Sequence, residues 1–166
     1  MEKDLTDRLL ERWAQARPGL AVAELGVTGR LSRMGQHLAD RDDATFERFG
    51  LGRGEVGMLS ALRVAGPPHR LSPTRLGRGL MLSSAGVTSR IDRLERRGLV
   101  TREPDPDDRR GVIVELTERG LELVDEAVEA KGESDRQLLA GLDATDRNEL
   151  ERLLRRFLLL LEGPPR

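Results

Sequence analysis

Between Pro68 and Gly98 the chain sets helix-starting and helix-stopping signals so close together that only two short helices joined by a tight turn fit. Gly66-Pro67-Pro68 breaks whatever precedes it. Ser72 is a good N-cap and Pro73 suits a first helical position, so a short helix is predicted from 73 to about 80. Met81 and Leu82 make the turn, and Ser83 or Ser84 caps a second helix reaching Arg97. Its apolar stripe is Val87, Ile91 and Leu94, spaced four then three, which leaves the other faces open. Gly98 is the stop. Residues 99–102 read as a short strand, 104–108 as a turn-rich tip, and the β-branched run 111–116 as the returning strand.

Helices flank this block on both sides. The predicted spans are 4–16 (Leu5, Leu9, Leu10, Trp13), 23–47 (stripe Val27, Leu31, Met34, Leu38) and 53–65 (Val56, Leu59, Leu62 inward). After the hairpin Thr117 caps a helix carrying Leu121, Val124 and Val128, and a last helix runs from Asp143 to about Leu161, where Gly163-Pro164-Pro165 follows. That last helix holds Leu150, Leu153, Leu154, Phe157 and then four consecutive leucines, Leu158 to Leu161. A helix apolar nearly all round must be buried on several sides. With three Phe, one Trp and no Tyr, the chain has little to cover it, so a second copy is the expected cover.

Two short helices, a tight turn and a hairpin with an arginine-rich tip form the pattern of a winged helix-turn-helix. The fold expected is therefore mostly α with a small β wing. It forms a single unit over 1–166, with a DNA-binding lobe at 51–117 and a helical dimerisation lobe made of 1–50 and 118–166. Two-fold pairing would set the two reader helices about one DNA turn apart, roughly 34 Å. Charge supports the assignment. Residues 70–110 carry ten arginines against six acids, whereas the whole chain has a net charge of -1. Local positive charge is what phosphate contact requires. The candidate DNA-contacting residues are Ser72, Thr74, Ser83, Ser84, Thr88, Ser89, Arg90 and Arg93, since hydroxyls and guanidinium groups reach base edges and phosphates in a major groove. At the wing tip Arg109 and Arg110 are placed for a narrow minor groove, with Asp108 holding one of them extended. The opposing reading of the hairpin is a solvated turn with local ion pairs, and that of the whole lobe is a protein-interaction module that has lost DNA affinity.

Other classes find little support. There is no cysteine, which removes thiolate chemistry and disulfides. His37 and His69 are far apart in sequence, without metal-ligand spacing, so no metal is expected. The glycines at 50, 52, 54 and 57 lack a preceding strand, so they are not a dinucleotide fingerprint. Neither HExxH nor a serine-centred elbow occurs, and catalysis is not expected. The charged N-terminus has no apolar signal region and no stretch approaches about 18 apolar residues, so a cytoplasmic protein without membrane association is expected.

The run Leu71-Ser72-Pro73 to Leu76, the segment SSAGVTSRIDRLE at 83–95, Gly98-Leu99-Val100, Asp108-Arg109-Arg110 and VELTERG at 114–120 together resemble the MarR-type transcriptional regulators. The resemblance covers the whole DNA-binding lobe, and the flanking helices fit in number and length. It implies a homodimer, built from the terminal helices, that binds a pseudo-palindrome in double-stranded DNA and is released by a small ligand. Trp13 in an added N-terminal helix and the phrase AGPPHRLSP at 65–73 look like the urate- and organic-acid-responsive branch. In that branch a Trp, an Asp and two Arg bind the effector. The resemblance matches Trp13, Arg90 and Arg102 to the Trp and the arginines, while the Asp position falls on Gly57, with Glu55 nearby. Two arginines without that carboxylate favour a more negative anion, citrate- or aconitate-like, over urate. Each residue has a second reading: Trp13 as a dimer anchor, Arg90 as a phosphate contact, and Arg102 as a strand-end residue paired with Glu103 or Asp105.

Overall fold

The computed structural model describes residues 2–80, 83–106, 108 and 111–163. The elements in chain order are α1 (Leu5–Ala16), α2 (Leu25–Glu47), α3 (Arg53–Val64), β1 (Arg70–Leu71), α4 (Pro73–Leu80), α5 (Ser84–Arg96), β2 (Val100–Pro104), β3 (Val112–Leu116), α6 (Glu118–Leu138) and α7 (Ala144–Glu162), with a 3-10 turn at Leu139–Gly141 before α7. The predicted turn at Met81-Leu82 lies outside the described residues.

Local chemistry accounts for most boundaries. Ser83, Thr117 and Asp143 each cap a helix by accepting a backbone N–H, from Gly86, Gly120 and Asp146 respectively. Gly98 ends α5 with φ +67°, a left-handed conformation that favours glycine. The hairpin strands pair antiparallel from Val100↔Leu116 to Pro104↔Val112. The sheet has a third member that periodicity did not show: β1 joins β3 through Arg70↔Glu115 and Leu71↔Val114, giving the order β1-β3-β2.

The core sits under the helix pair and the sheet. Met58, Leu59, Leu62, Leu76, Ile91, Leu94, Leu99, Val100 and Val114 are fully buried, joined by Phe46 at the end of α2 and by Val124 and Ala127 of α6. The inward residues expected on α3 and α5 are all there. The α2 stripe is different. Val27, Met34 and Leu38 are exposed among the described residues. Leu5, Leu9 and Trp13 on α1, Val128 on α6, and Leu153 and Phe157 to Leu161 on α7 are exposed as well. No residue of α7 is buried within its own chain.

Polar ties hold the outer helices. Arg30 on α2 donates from Nε to Asp4 at 2.8 Å and from Nη2 to Asp7 at 2.7 Å, gripping the capping box of α1. Lys131 on α6 reaches Asp42 on α2 at 3.1 Å, and Arg63 on α3 reaches Asp125 on α6 at 2.9 Å. Burial pulls the Lys131 ammonium down, but its hydrogen bonds to Asp135 and Asp42 outweigh this and hold it above its usual value.

Candidate nucleic-acid interface

The helices α4 and α5 meet at an open cleft of about 310 Å³, lined by Pro73, Thr74, Gly77 and Arg78 from one and Ser84, Val87 and Thr88 from the other. Three of the expected contact residues, Thr74, Ser84 and Thr88, are thereby brought together on one surface. Ser89 is exposed beside them. Two other hydroxyls serve the fold: Ser83 Oγ accepts the Gly86 N–H at 3.2 Å, and Ser72 Oγ accepts that of Arg75 at 3.4 Å. Arg75 and Arg78 are exposed on α4 and were not singled out from the sequence, although their spacing of three on one short helix places them on adjacent faces.

The arginines of α5 are more engaged than the sequence reading allowed. Arg90 is half-buried; its Nη1 donates back to the Gly86 carbonyl at 3.0 Å, and its guanidinium lies against Gly54, where a Cβ would overlap it. A Cβ at Gly86 would also crowd Arg90 and the Ser83 cap. Arg93 pairs with Glu55 of α3 at 3.1 Å. Arg97 donates to the carbonyls of Gly50 at 2.6 Å and Phe49 at 3.2 Å, fastening α5 to the turn between α2 and α3. Arg102 of β2 pairs with Asp92 and, at 3.0 Å, with Glu95, both on α5, rather than with its strand neighbours Glu103 or Asp105. Asp108 is exposed, and its carbonyl accepts the Gly111 N–H at 2.8 Å. Arg109 and Arg110 lie outside the described residues.

The three residues matched to an effector site are dispersed in the single chain. Trp13 lines an apolar groove of about 460 Å³ between α1 and α2, with Leu5, Leu9, Leu25, Thr28 and Arg33 among its neighbours. Arg90 of α5 lies against Gly54 of α3, while Arg102 is on β2 with the partners given above. At Gly57 the Leu80 side chain occupies the space a larger residue would need, with its Cδ2 2.9 Å from an ideal Cβ. Glu55 is buried and accepts the Gly52 N–H at 2.9 Å in addition to its pair with Arg93. His69 has its Nδ1 3.1 Å from the Arg63 carbonyl, while His37 lines a surface hollow with Arg30 and Arg33. Among the described residues no group of three or more His, Asp or Glu converges as a metal site, and no helix is long and apolar enough to cross a membrane.

A short helix pair, an exposed hydroxyl-rich face on its second member and a three-stranded sheet with a hairpin wing define a winged helix-turn-helix DNA-binding protein. The profile described as MarR family matches residues 49–111, which span α3 to the wing. The HTH-type transcriptional regulator PecS of Dickeya dadantii (strain 3937) is 34% identical over 148 residues, covering 89% of each chain. Together these place the chain in the MarR family of transcriptional regulators. The transcriptional repressor MprA of Escherichia coli (strain K12) is 32% identical over 94 residues, 57% of this chain and 53% of that one. Among solved structures, Sco3205, a MarR family transcriptional regulator from Streptomyces coelicolor in complex with DNA, superposes with TM-score 0.73 at 26% identity, over 89% of this chain and 93% of that one.

Proposed function

We propose that the protein is a homodimeric repressor that reads a pseudo-palindromic double-stranded operator and leaves it when a small organic anion binds. The carrying observation is the cleft where Thr74 and Arg78 of α4 face Ser84 and Thr88 of α5. It combines short donors for base edges with a cation for phosphate on one exposed surface. In this reading residues 51–117 form the DNA lobe, and Ser72, Ser83, Ser89, Arg90, Arg93, Asp108, Arg109 and Arg110 are its further DNA-contacting residues. Residues 1–50 and 118–166 form the pairing lobe.

Pairing is supported by where the apolar surface lies. The exposed large side chains fall mainly on α1, α2, the end of α6 and α7, and Leu160 is 81% exposed. A 19-residue helix with no buried residue does not hold its shape through its own packing, and a second copy offers a matching surface. Repression follows the relative named a repressor, and DNA binding the neighbour solved with DNA. The anion is assigned to Arg90 and Arg102, with citrate- or aconitate-like acids ahead of urate. Trp13 enters that site through the resemblance alone, and its place in the α1–α2 groove favours its reading as an interface anchor.

The test is binding of the purified protein to a labelled duplex spanning its own upstream intergenic region. Random DNA competes, salt is varied, and citrate, aconitate and urate are added in turn. Saturable, competitor-resistant binding that falls steeply with salt and is reversed by one acid is the expected result. Binding that no acid reverses removes the effector assignment, and absence of specific binding here and in a genome-wide selection removes the DNA-binding reading.

A further inference from the structure

The far end of α5 is tied to both long helices outside the helix pair. Arg97, the C-cap of α5, donates from Nη1 to the Gly50 carbonyl at 2.6 Å and from Nη2 to that of Phe49 at 3.2 Å. Both carbonyls belong to the turn that closes α2, where the Gly50 N–H donates to Glu47 at 2.8 Å and the Leu51 N–H to Phe46 at 3.1 Å. Phe46 and Leu51 are buried in the core, so this turn is fixed. A guanidinium suits the place, because carbonyls at a helix C-terminus lack partners within the helix and form its negative end. On the other side the Arg97 carbonyl accepts from Arg119 Nη1 at 3.3 Å, and the Gly98 carbonyl from Thr117 Oγ1 at 2.8 Å, both at the start of α6.

We propose that Arg97 is a positioning residue for DNA recognition: by fastening α5 to the end of α2 it fixes the separation of the two reader helices in a dimer, and with it the half-site spacing that the protein accepts. The inference rests on pairing through the terminal helices, in which α2 and α6 belong to the pairing lobe and α5 to the DNA lobe. The buried stripe Val87, Ile91 and Leu94 packs α5 into its own lobe, so the motion that Arg97 restrains is that of lobe against lobe. The lever is long. At about 1.5 Å per residue the 13 residues of α5 span roughly 20 Å, with Ser84 at the end away from Arg97. A tilt of about 10° about the Arg97 end therefore moves Ser84 by roughly 3 Å, close to the ~3.4 Å rise of one base pair. A dimer whose readers are held within that distance distinguishes operators differing by one base pair in spacing, and a dimer whose readers swing does not.

The experiment uses the full-length chain and three duplexes: the specific site found in its upstream region, the same site with one base pair inserted midway, and a single half-site. Wild type is expected to bind the native spacing at least about tenfold more tightly than the altered one. Arg97→Gln should lose about threefold to tenfold on the native spacing and prefer it to the altered one by no more than about threefold, while its half-site affinity stays within about twofold of wild type. Arg97→Lys, which restores the charge and a donor, should recover most of the discrimination, as a merely destabilised lobe would not. Arg96→Gln removes the same charge one residue away, where the side chain bonds the Asp92 carbonyl of its own helix, and should match wild type. Melting by circular dichroism establishes that each variant is folded, and Arg97→Met, which keeps the aliphatic stem, takes the place of Arg97→Gln if that variant does not fold. Wild-type discrimination in the folded Arg97 variant, an equal loss in Arg96→Gln, or a lost half-site affinity overturns the positioning and leaves the pairing reading untouched. A wild type that does not distinguish the spacings overturns the positioning as well; sedimentation as one chain then shows that pairing has failed with it, and sedimentation as two chains that pairing stands. Absence of any specific duplex overturns both the positioning and the DNA-binding reading.

Discussion

Glu55 Oε1 lies 3.1 Å from Nε of Arg93, so the first turn of α3 holds the last turn of α5. The carboxylate also closes the start of α3 by accepting the Gly52 N–H, and its side chain is only 10% exposed. Glu55→Gln retains an acceptor for Gly52 and loses the ion pair. Because Arg93 is half exposed and screened by water, the loss should be about 1 kcal/mol or less. Glu55→Ala also removes the cap and should cost about 2 kcal/mol. Urea denaturation of the two variants checks this order, and equal stability of Glu55→Ala and wild type would contradict the anchoring.

The start of α6 is fitted to the end of α5 with no spare room. A Cβ at Gly120 would overlap the Leu99 carbonyl oxygen, a backbone atom that cannot turn aside. Thr117 Oγ1 donates to the Gly98 carbonyl at 2.8 Å and accepts the Gly120 N–H at 3.0 Å in the same corner. Gly120→Ala should therefore destabilise the protein by about 2 kcal/mol or more despite the better helix propensity of alanine, as read from its thermal midpoint.

Pairing through the terminal helices predicts that charge on α7 separates the protomers. Leu153 and Leu160 are both exposed, so Leu153→Glu/Leu160→Glu replaces no buried residue. Sedimentation should show wild type at twice the 18.5 kDa of one chain and the variant at one chain's mass. The variant's affinity for a two-half-site duplex should fall at least about tenfold, because its half-sites are no longer bound together.

Phosphate contact by α4 predicts a salt signature. Arg75→Ala and Arg78→Ala should each weaken binding to specific and random duplexes alike, and each should lower the slope of log affinity against log salt by about one. A slope unchanged in both variants would mean that α4 does not touch the backbone.

Docking of α1 should fail in acid. The Asp7 backbone N–H first, and then the Arg30 guanidinium, hold the Asp4 carboxyl below its usual value of 3.8. A depressed carboxylate contributes stability above its unfolded value and loses it as pH falls through the lower folded one. The α1–α2 contact is therefore intact at neutral pH and loosens below about pH 4. Trp13, the single tryptophan, sits in the α1–α2 groove and reports the change by its emission. In Asp4→Asn the acid-induced shift should start at higher pH or be present throughout.

Much of this architecture was legible before any coordinates. The caps at Thr117 and at Ser83 or Ser84, the helix start at Asp143, the stop at Gly98, and the four-three spacing of Val87, Ile91 and Leu94 act within a few residues of chain. A reader can apply the same spacing rules the backbone obeys. The two-residue strand Arg70–Leu71 was not visible, because two residues carry no period and its partners Glu115 and Val114 lie beyond the helix pair. The stripe Val27, Leu31, Met34 and Leu38 gave a correct helix, but spacing does not say what covers a face, and this one is left open.

The basic charge of residues 70–110 was likewise readable, and with it the DNA-binding class of the lobe. Which arginines remain available was decided in three dimensions. Arg78 opens onto the α4–α5 cleft, while Arg93, Arg97 and Arg102 are taken by Glu55, the Gly50 carbonyl, and Asp92 with Glu95. A helix cap or a heptad-like stripe depends on neighbours along the chain, so sequence alone determines it. An ion pair such as Glu55–Arg93 depends on two elements meeting within a few ångströms, and only the packed core under α3, α5 and the sheet brings them there.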